Sequence, residues 1–432
     1  MNKPAMLSMD DALAALLAEA RPLAEVDTVA TLNAHGRVLA RAVRSTLDVP
    51  PADNTSMDGY AMRSADVPAA GTALRVTQRI PAGTVGQPLQ PGTAARIFTG
   101  ALIPAGADAV VMQELTSVEG TGDEMRVTIN EVPKAGQWVR YAGEDIRNGA
   151  EVLAPGTRLS PQACGLAASV GLAELQVARR LRVAVFFTGD ELAMPGEALK
   201  PGAIYNSNRF VLRGLIEGLG CALVDFGIVR DTLEETRAVL REAARENDLI
   251  ITTGGVSVGE EDHVRPAVQA EGEIKLWQIA MKPGKPLAYG RVRRPEGPVR
   301  RPEDSVQRPG GAAPGPGEPS ASFIGLPGNP VSSFVTFLLF VRPFILKCQG
   351  VADVAPKALY LPADFDLPKP DRRREFLRAR MNPQGALELF PNQSSGVLTS
   401  TVWGDGLIDN PANQAIRRGD TVRFLPFAEL LH

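Results

Sequence analysis

Between residues 181 and 347 short apolar runs alternate with stretches of helical periodicity, and each run ends in a loop rich in Gly, Pro or acid. Few architectures accommodate that alternation. A parallel sheet with helices on both faces is the one it predicts. Val183 to Phe187, Leu223 to Ile228, Leu249 to Ile251, Ile274 to Met281 and Phe323 to Ile324 read as buried parallel strands. Asn208 to Leu219 and Leu233 to Glu246 have amphipathic helical spacing, and Pro330 to Lys347 reads as a long apolar core helix. Ligands of open α/β sheets bind beyond the carboxyl ends of the strands. The loops expected there are Thr188-Gly-Asp-Glu191, Val229-Arg-Asp231, Thr252 to Asp262, Lys282-Pro-Gly-Lys-Pro286 and Gly325-Leu-Pro-Gly-Asn-Pro330.

The chemistry of these loops is mixed. Gly254 and Gly255, followed by Ser257 and Gly259, let backbone approach a ligand closely. The spacing fits neither a P-loop nor a dinucleotide fingerprint. Lys282 and Lys285 put two ammonium groups on a stiffened turn, suited to phosphate or another oxyanion. Asp190, Glu191, Asp231 and Asp262 supply hard oxygen donors of the kind Mg2+ prefers. Each alone is equally a cap or turn residue, and their shared place after strands is what marks them. Together they point to a phosphorylated substrate handled with a divalent cation.

Elsewhere the chain changes character. Ser8 to Leu17 reads as a capped helix, and Ser160-Pro161 starts another that ends near Gly171. Asp27 to Thr128 and the chain after Ala355 break into short β-prone pieces separated by Pro and Gly. The resulting division is 1–50 with 140–180 as an N-terminal linker and helical part, 51–139 as an inserted β-rich part, 181–350 as the α/β part and 351–432 as a C-terminal β-domain. Residues 293–320 are rich in Pro, Gly, Arg and Glu and are expected to be a disordered insertion. Three loops, Asp53 to Tyr60, Arg96 to Gly100 and Arg140 to Asp145, are polar without a packing reason.

Composition narrows the function classes. A net charge of −3 gives no general attraction to nucleic acid or anionic lipid, so any anion site is local. Three widely spaced cysteines fit neither a disulfide framework nor a zinc site and favour a cytoplasmic location. Three histidines exclude a His-rich metal centre, and no apolar run is long enough to predict a membrane span.

Nearly the whole chain resembles the molybdopterin molybdenumtransferases of the MoeA type, and the E-domain of gephyrin. The resemblance rests on Asn54-Thr-Ser-Met-Asp-Gly-Tyr-Ala61, Phe98-Thr-Gly100, Gly143-Glu-Asp145, Thr188-Gly-Asp-Glu191, Gly254-Gly-Val-Ser257, Lys282-Pro-Gly-Lys285 and Leu326-Pro-Gly-Asn-Pro330, in that order. It implies an elongated, four-part subunit and a homodimer whose active site lies between the α/β part of one copy and the N-terminal β-rich part of the other. It further implies that molybdate is inserted into adenylylated molybdopterin with release of AMP, with Mg2+ as cofactor. On this likeness Asp58, Thr99, Glu191, Asp231 and Asp262 match positions needed for activity, the last three for Mg2+. Ser257, Gly254, Gly255, Lys282 and Lys285 match substrate and oxyanion positions, joined by Arg378 and Ser395 from the C-terminal domain. Pro327 and Pro330 match the bend that shapes the pocket. Gln278 departs from relatives that carry a basic residue after Trp277. The main reading suggests an upstream adenylyltransferase as a partner; two alternatives stand beside it, an adenylyltransferase acting on the same pterin and a scaffold that binds a partner peptide. Molybdate and tungstate share shape and charge, and the sequence does not separate them.

Overall fold

The structure, a computed structural model, describes residues 6–255, 263–295 and 319–431. The central sheet has six strands in the order Ala222–Val229, Arg182–Thr188, Leu249–Thr253, Ser320–Leu326, Pro286–Arg293 and Gly272–Gln278. The first four are mutually parallel, and the last two pair antiparallel. Period-2 burial explains why helices cover both faces. Val183, Val185 and Phe187 belong to one apolar cluster with the helix Ser207–Gly218 and the long helix 330–348. Ala184 and Phe186 face the opposite way, against Leu240, Ala243 and Ala244 of Leu233–Glu246 and Val264 and Val268 of Val264–Glu271. Thr232 caps Leu233–Glu246 by accepting from the Glu235 N–H.

The long helix runs from Pro330 to Cys348 and is 94% buried over its most apolar window. It is long and apolar enough to cross a membrane, yet Phe337, Phe340 and Phe344 are spent on the core beneath the sheet. A π-helical turn at Phe337–Val341 lies in its middle. The N-terminal helix Met9–Glu19 packs into the same cluster, capped by Ser8, whose hydroxyl accepts from the Asp11 N–H.

Three expectations change. Leu223 to Ile228 lies in the edge strand Ala222–Val229 and is half-buried rather than buried, with Val224 exposed. The apolar run Ile274 to Met281 is not one parallel strand. Gly272–Gln278 pairs antiparallel with Pro286–Arg293, whereas Met281–Lys282 leaves the sheet and pairs with Arg374–Met381 of the C-terminal region. A continuous apolar stretch carries no mark of where it changes sheets. Pro286–Arg293 itself was hidden because a strand opening on Pro, after a Lys-Pro-Gly-Lys turn, reads as loop. The insertion also begins and ends later and earlier than its composition implies. Arg293 closes one strand and Ser320 opens the next, while 296–318 lie outside the described residues.

The N-terminal region carries a second six-stranded sheet in the order Ala109–Met112, Gly59–Met62, Thr93–Ile97, Thr72–Ile80, Arg126–Ile129 and Thr116–Glu119. The C-terminal sheet runs Met281–Lys282, Arg374–Met381, Gly406–Asn410, Thr421–Pro426 and Leu359–Pro362, with Leu387–Leu389 alongside Arg374–Met381. Central and C-terminal regions therefore share a strand pairing.

Candidate active site

Because Gly272–Gln278 points the same way as the parallel strands, the turn after it arrives at their carboxyl edge. There Gly254, Gly255, Lys282, Lys285, Pro327 and Ser395 line one cavity of about 470 Å3. Backbone fills its floor. The Gly254 N–H donates to the Leu326 carbonyl at 3.1 Å, and a Cβ built on Gly328 would lie 3.7 Å from the Gly254 Cα. Asn208 adds a donor to the Gly328 carbonyl at 2.8 Å. The C-terminal wall is tied on by the Val331 N–H, which donates to the Ser395 carbonyl at 3.0 Å.

Gly284 requires its residue type on two counts. Its φ is +101°, and an added Cβ would meet Thr336 Oγ1 at 2.4 Å. Gly284→Ala is expected to cost about 1–3 kcal/mol, since strain and overlap add. Urea denaturation reads this directly, and an unchanged midpoint would show that the turn yields.

The two lysines differ. Lys282 Nζ lies 3.1 Å from Glu375 Oε1 and 3.5 Å from Asp371 Oδ2, so its charge is largely answered inside the protein. Asp371 also receives Arg373, whose guanidinium holds that carboxyl well below the ordinary range. Lys285 is exposed and makes no ion pair among the described residues, so its ammonium carries the cavity's free charge. Asp371, Arg373 and Glu375 were missed by sequence reasoning. The signal was there in the charged run Asp371-Arg-Arg-Arg-Glu375, but the strand it opens was not recognised.

Other expected residues lie elsewhere. Pro330 opens the long helix beside the cavity without lining it. Arg378 is a correction: it is fully buried behind the wall rather than open to an oxyanion. Its guanidinium donates to Ser400 Oγ at 3.0 Å and the Ser394 carbonyl at 3.1 Å, and desolvation pushes its pKa down to about 10. Glu191 is exposed on the loop after Arg182–Thr188, and Asp231 is half-buried after Ala222–Val229. Neither lines the cavity, and among the described residues no three acidic, His or Cys groups converge on a cation-sized site. Ser257 and Asp262 lie outside the described residues.

Asp58 and Thr99 meet each other in the N-terminal sheet, away from the cavity lining. Asp58 Oδ1 accepts from the Thr99 N–H at 2.8 Å and from Thr99 Oγ1 at 2.7 Å. These bonds, with the nearby Arg96 charge, lower the Asp58 pKa. The Arg96 guanidinium stacks over Phe98, 4.7 Å from the ring centroid, which fixes the loop bearing Thr99.

A Gly- and Lys-lined cavity on a mixed α/β sheet, flanked by β-rich N- and C-terminal regions, defines a three-part ligand-handling protein. Residues 7–171 match the MoeA N-terminal region (domain I and II), 184–347 a probable molybdopterin binding domain, and 360–427 the MoeA C-terminal region (domain IV). A Haemophilus influenzae molybdopterin molybdenumtransferase is 36% identical over 99% of this chain and all of its own length. Molybdopterin molybdenumtransferase 2 of Mycobacterium tuberculosis is 35% identical over 92% of this chain and 93% of its own. The crystal structure of a molybdopterin biosynthesis MoeA protein from Pyrococcus horikoshii OT3 superposes with a TM-score of 0.80 at 27% identity, covering 98% of this chain and 100% of that one. The chain belongs to the molybdopterin molybdenumtransferase family.

Proposed function

We propose that this protein is a molybdopterin molybdenumtransferase: it inserts molybdate into adenylylated molybdopterin and releases AMP. The observation that carries the reading is the cavity at the carboxyl edge of the central sheet. Five separate stretches of chain build it, and one of them leaves Lys285 without an ion-pair partner among the described residues. Phosphoanhydride cleavage asks for charge neutralisation and positioning more than for covalent catalysis. Backbone of Gly254 and Gly255 and the Lys285 ammonium would hold the anionic substrate, with Lys282 as a second, partly neutralised charge; Ser257 is assigned to the same role on the family likeness alone. Pro327 and Pro330 shape the bend, and Arg378 supports the Ser394–Ser395 wall from behind.

Mg2+ fits the donors available. It binds through one or two carboxylates together with water and substrate phosphate oxygens, so the lack of a three-carboxylate cluster among the described residues, which do not include Asp262, is in keeping with it. Glu191, Asp231 and Asp262 are the residues that would hold it, and when bound it would offset charge on the phosphoanhydride. Asp58 and Thr99 would come from a second copy of the chain, giving an elongated homodimer with the four-part subunit division described above. The free thiols of Cys164, Cys221 and Cys348 accord with a cytoplasmic setting.

Purified protein given adenylylated molybdopterin, molybdate and Mg2+ is expected to release AMP in step with metal insertion. In the same assay Asp231→Ala is expected to raise the Mg2+ concentration for half-maximal rate by roughly tenfold or more. An identical metal titration would remove Asp231 from the proposed site, while absence of AMP would overturn the reaction itself.

A further inference from the structure

A second cavity, of about 460 Å3, lies where the N-terminal region meets the central one. His35, Arg37, Arg158 and Arg180 line it, with Glu217 the acidic residue in its lining. Two of these charges are already answered. Arg37 is paired with Asp27 at 2.6 Å, and Glu217 with Arg213 at 3.1 Å. Arg158 and Arg180 have no carboxylate partner among the described residues. Arg158 spends Nη2 on the Gly218 carbonyl at 3.0 Å and Nε on the Gly36 carbonyl at 3.5 Å. Among the described residues Arg180 donates to the Gly220 carbonyl alone, at 3.4 Å. Ser160 is engaged in capping the helix Pro161–Ser169, so recognition would fall to the guanidiniums.

Satisfying the carbonyls at the end of the helix Ser207–Gly218 accounts for part of this arrangement. It does not account for the charge. A guanidinium stays ionised under all ordinary conditions, and removing it from water without an anion is costly. Arg158 is half-buried and desolvated, which lowers its pKa from the ordinary value. Each of the two arginines offers five N–H donors in a planar fork, and the described protein takes only a minority of them. The chain as a whole is acidic, at −3, so basic residues gathered around a concave surface are a local departure. Concave sites at domain junctions are where small ligands commonly bind.

We infer that this junction cavity binds a small phosphate-bearing anion, held in the forks of Arg158 and Arg180. Such a ligand would bridge residues 35–37 and 158–161 to 180 and 217–220, stiffening the join between the two regions. It is separate from the cavity at the lysine turn, with which it shares no lining residue.

Isothermal titration of the full-length protein with inorganic phosphate, against chloride at matched ionic strength, tests this. Saturable binding is expected in the wild type and in Lys285→Ala, which removes the charge of the other cavity. Arg180→Ala and Arg158→Gln are each expected to weaken it at least tenfold, since two charge-assisted bonds are at stake. Phosphate should also raise the melting temperature of the wild type and not of Arg180→Ala. Arg180 is exposed and makes one long backbone bond at the cavity, so its variant decides the matter should Arg158→Gln fold poorly. No binding by about 10 mM phosphate, a weakness already sufficient to empty the site at ordinary concentrations, would overturn the proposal. So would undiminished binding in Arg180→Ala, or binding lost only in Lys285→Ala.

Discussion

Asp58→Asn and Lys285→Ala are each expected to keep only a small residual activity at limiting substrate, and an equimolar mixture of the two is expected to recover about a quarter of wild-type activity. Asn at position 58 keeps an oxygen to accept from the Thr99 N–H and hydroxyl, so the loop should hold its shape while the charge is lost. Losing a carboxylate that acts at the reacting centre costs roughly 10²–10⁴ in rate. Lys285 is exposed and has no ion-pair partner among the described residues, so its removal is expected to leave folding alone and to lower oxyanion affinity by about 1.5–3 kcal/mol. Recovery follows if each site takes its lysine turn from one copy and its Asp58 from the other. Half the dimers in a fully exchanged mixture are then mixed, and one of the two sites in each is intact. A mixture that stays dead after verified exchange would show that the site is not shared. Titration adds a check with a defined sign. Because hydrogen bonds lower the Asp58 pKa, its charge persists above the ordinary value near 3.9 and fades only as pH falls below it. Any loss of rate between pH 5 and 8 should therefore be the same in Asp58→Asn as in the wild type.

The largest stability effect is expected at Asp409, in the core of the C-terminal sheet. Its carboxylate has 2% of its side-chain surface exposed and is gripped by Arg374 through bonds of 2.6 and 2.7 Å, with Arg423 on the same group. Arg374 in turn reaches Asp10 of the N-terminal helix at 2.9 Å, so one carboxylate organises contacts from three segments. Asp409→Ala would strand two guanidiniums beside an apolar sheet, and breaking a buried pair from one side costs about 3–5 kcal/mol. The exposed part of both arginines softens this, and about 3 kcal/mol is expected from urea unfolding. The control is Asp10→Ala, whose side chain is 80% exposed and whose loss should cost under about 1 kcal/mol. Equal effects in the two variants would refute the assignment of Asp409 as the organiser.

Much of the central sheet was legible because its strands are buried on both faces and separated by amphipathic helices. Leu233–Glu246 begins and ends where its periodicity places it. Regularity fails at the lysine turn. There Met281–Lys282 crosses to another sheet, and Pro286–Arg293 opens on a residue that ordinarily argues against a strand. The candidate site was legible as chemistry and only partly as geometry. Gly254, Gly255, Lys282, Lys285, Pro327 and Ser395 do share a cavity, since each follows a strand end or closes over one. That Glu375 and Asp371 claim Lys282 depends on a pairing between residues 93 positions apart, which no local pattern encodes. Arg378 was misread for a related reason. An arginine in a β-strand looks solvent-facing until the neighbouring Ser394 and Ser400 enclose it.

The short ladder joining Met281 and Lys282 to Arg374 and Glu375 bears on how the protein tolerates being cut. A fragment ending at Cys348 would retain every strand of the central sheet and both of its helical layers. It would nonetheless lose the carboxylates that restrain Lys282 and the serine wall opposite, turning a half-open recess into an open shelf with two loose cations. Separating the tail should therefore bare the apolar surface that Phe376, Leu407 and Phe427 cover and leave a body with indiscriminate taste for anions, which would make selectivity a property of the seam rather than of either side.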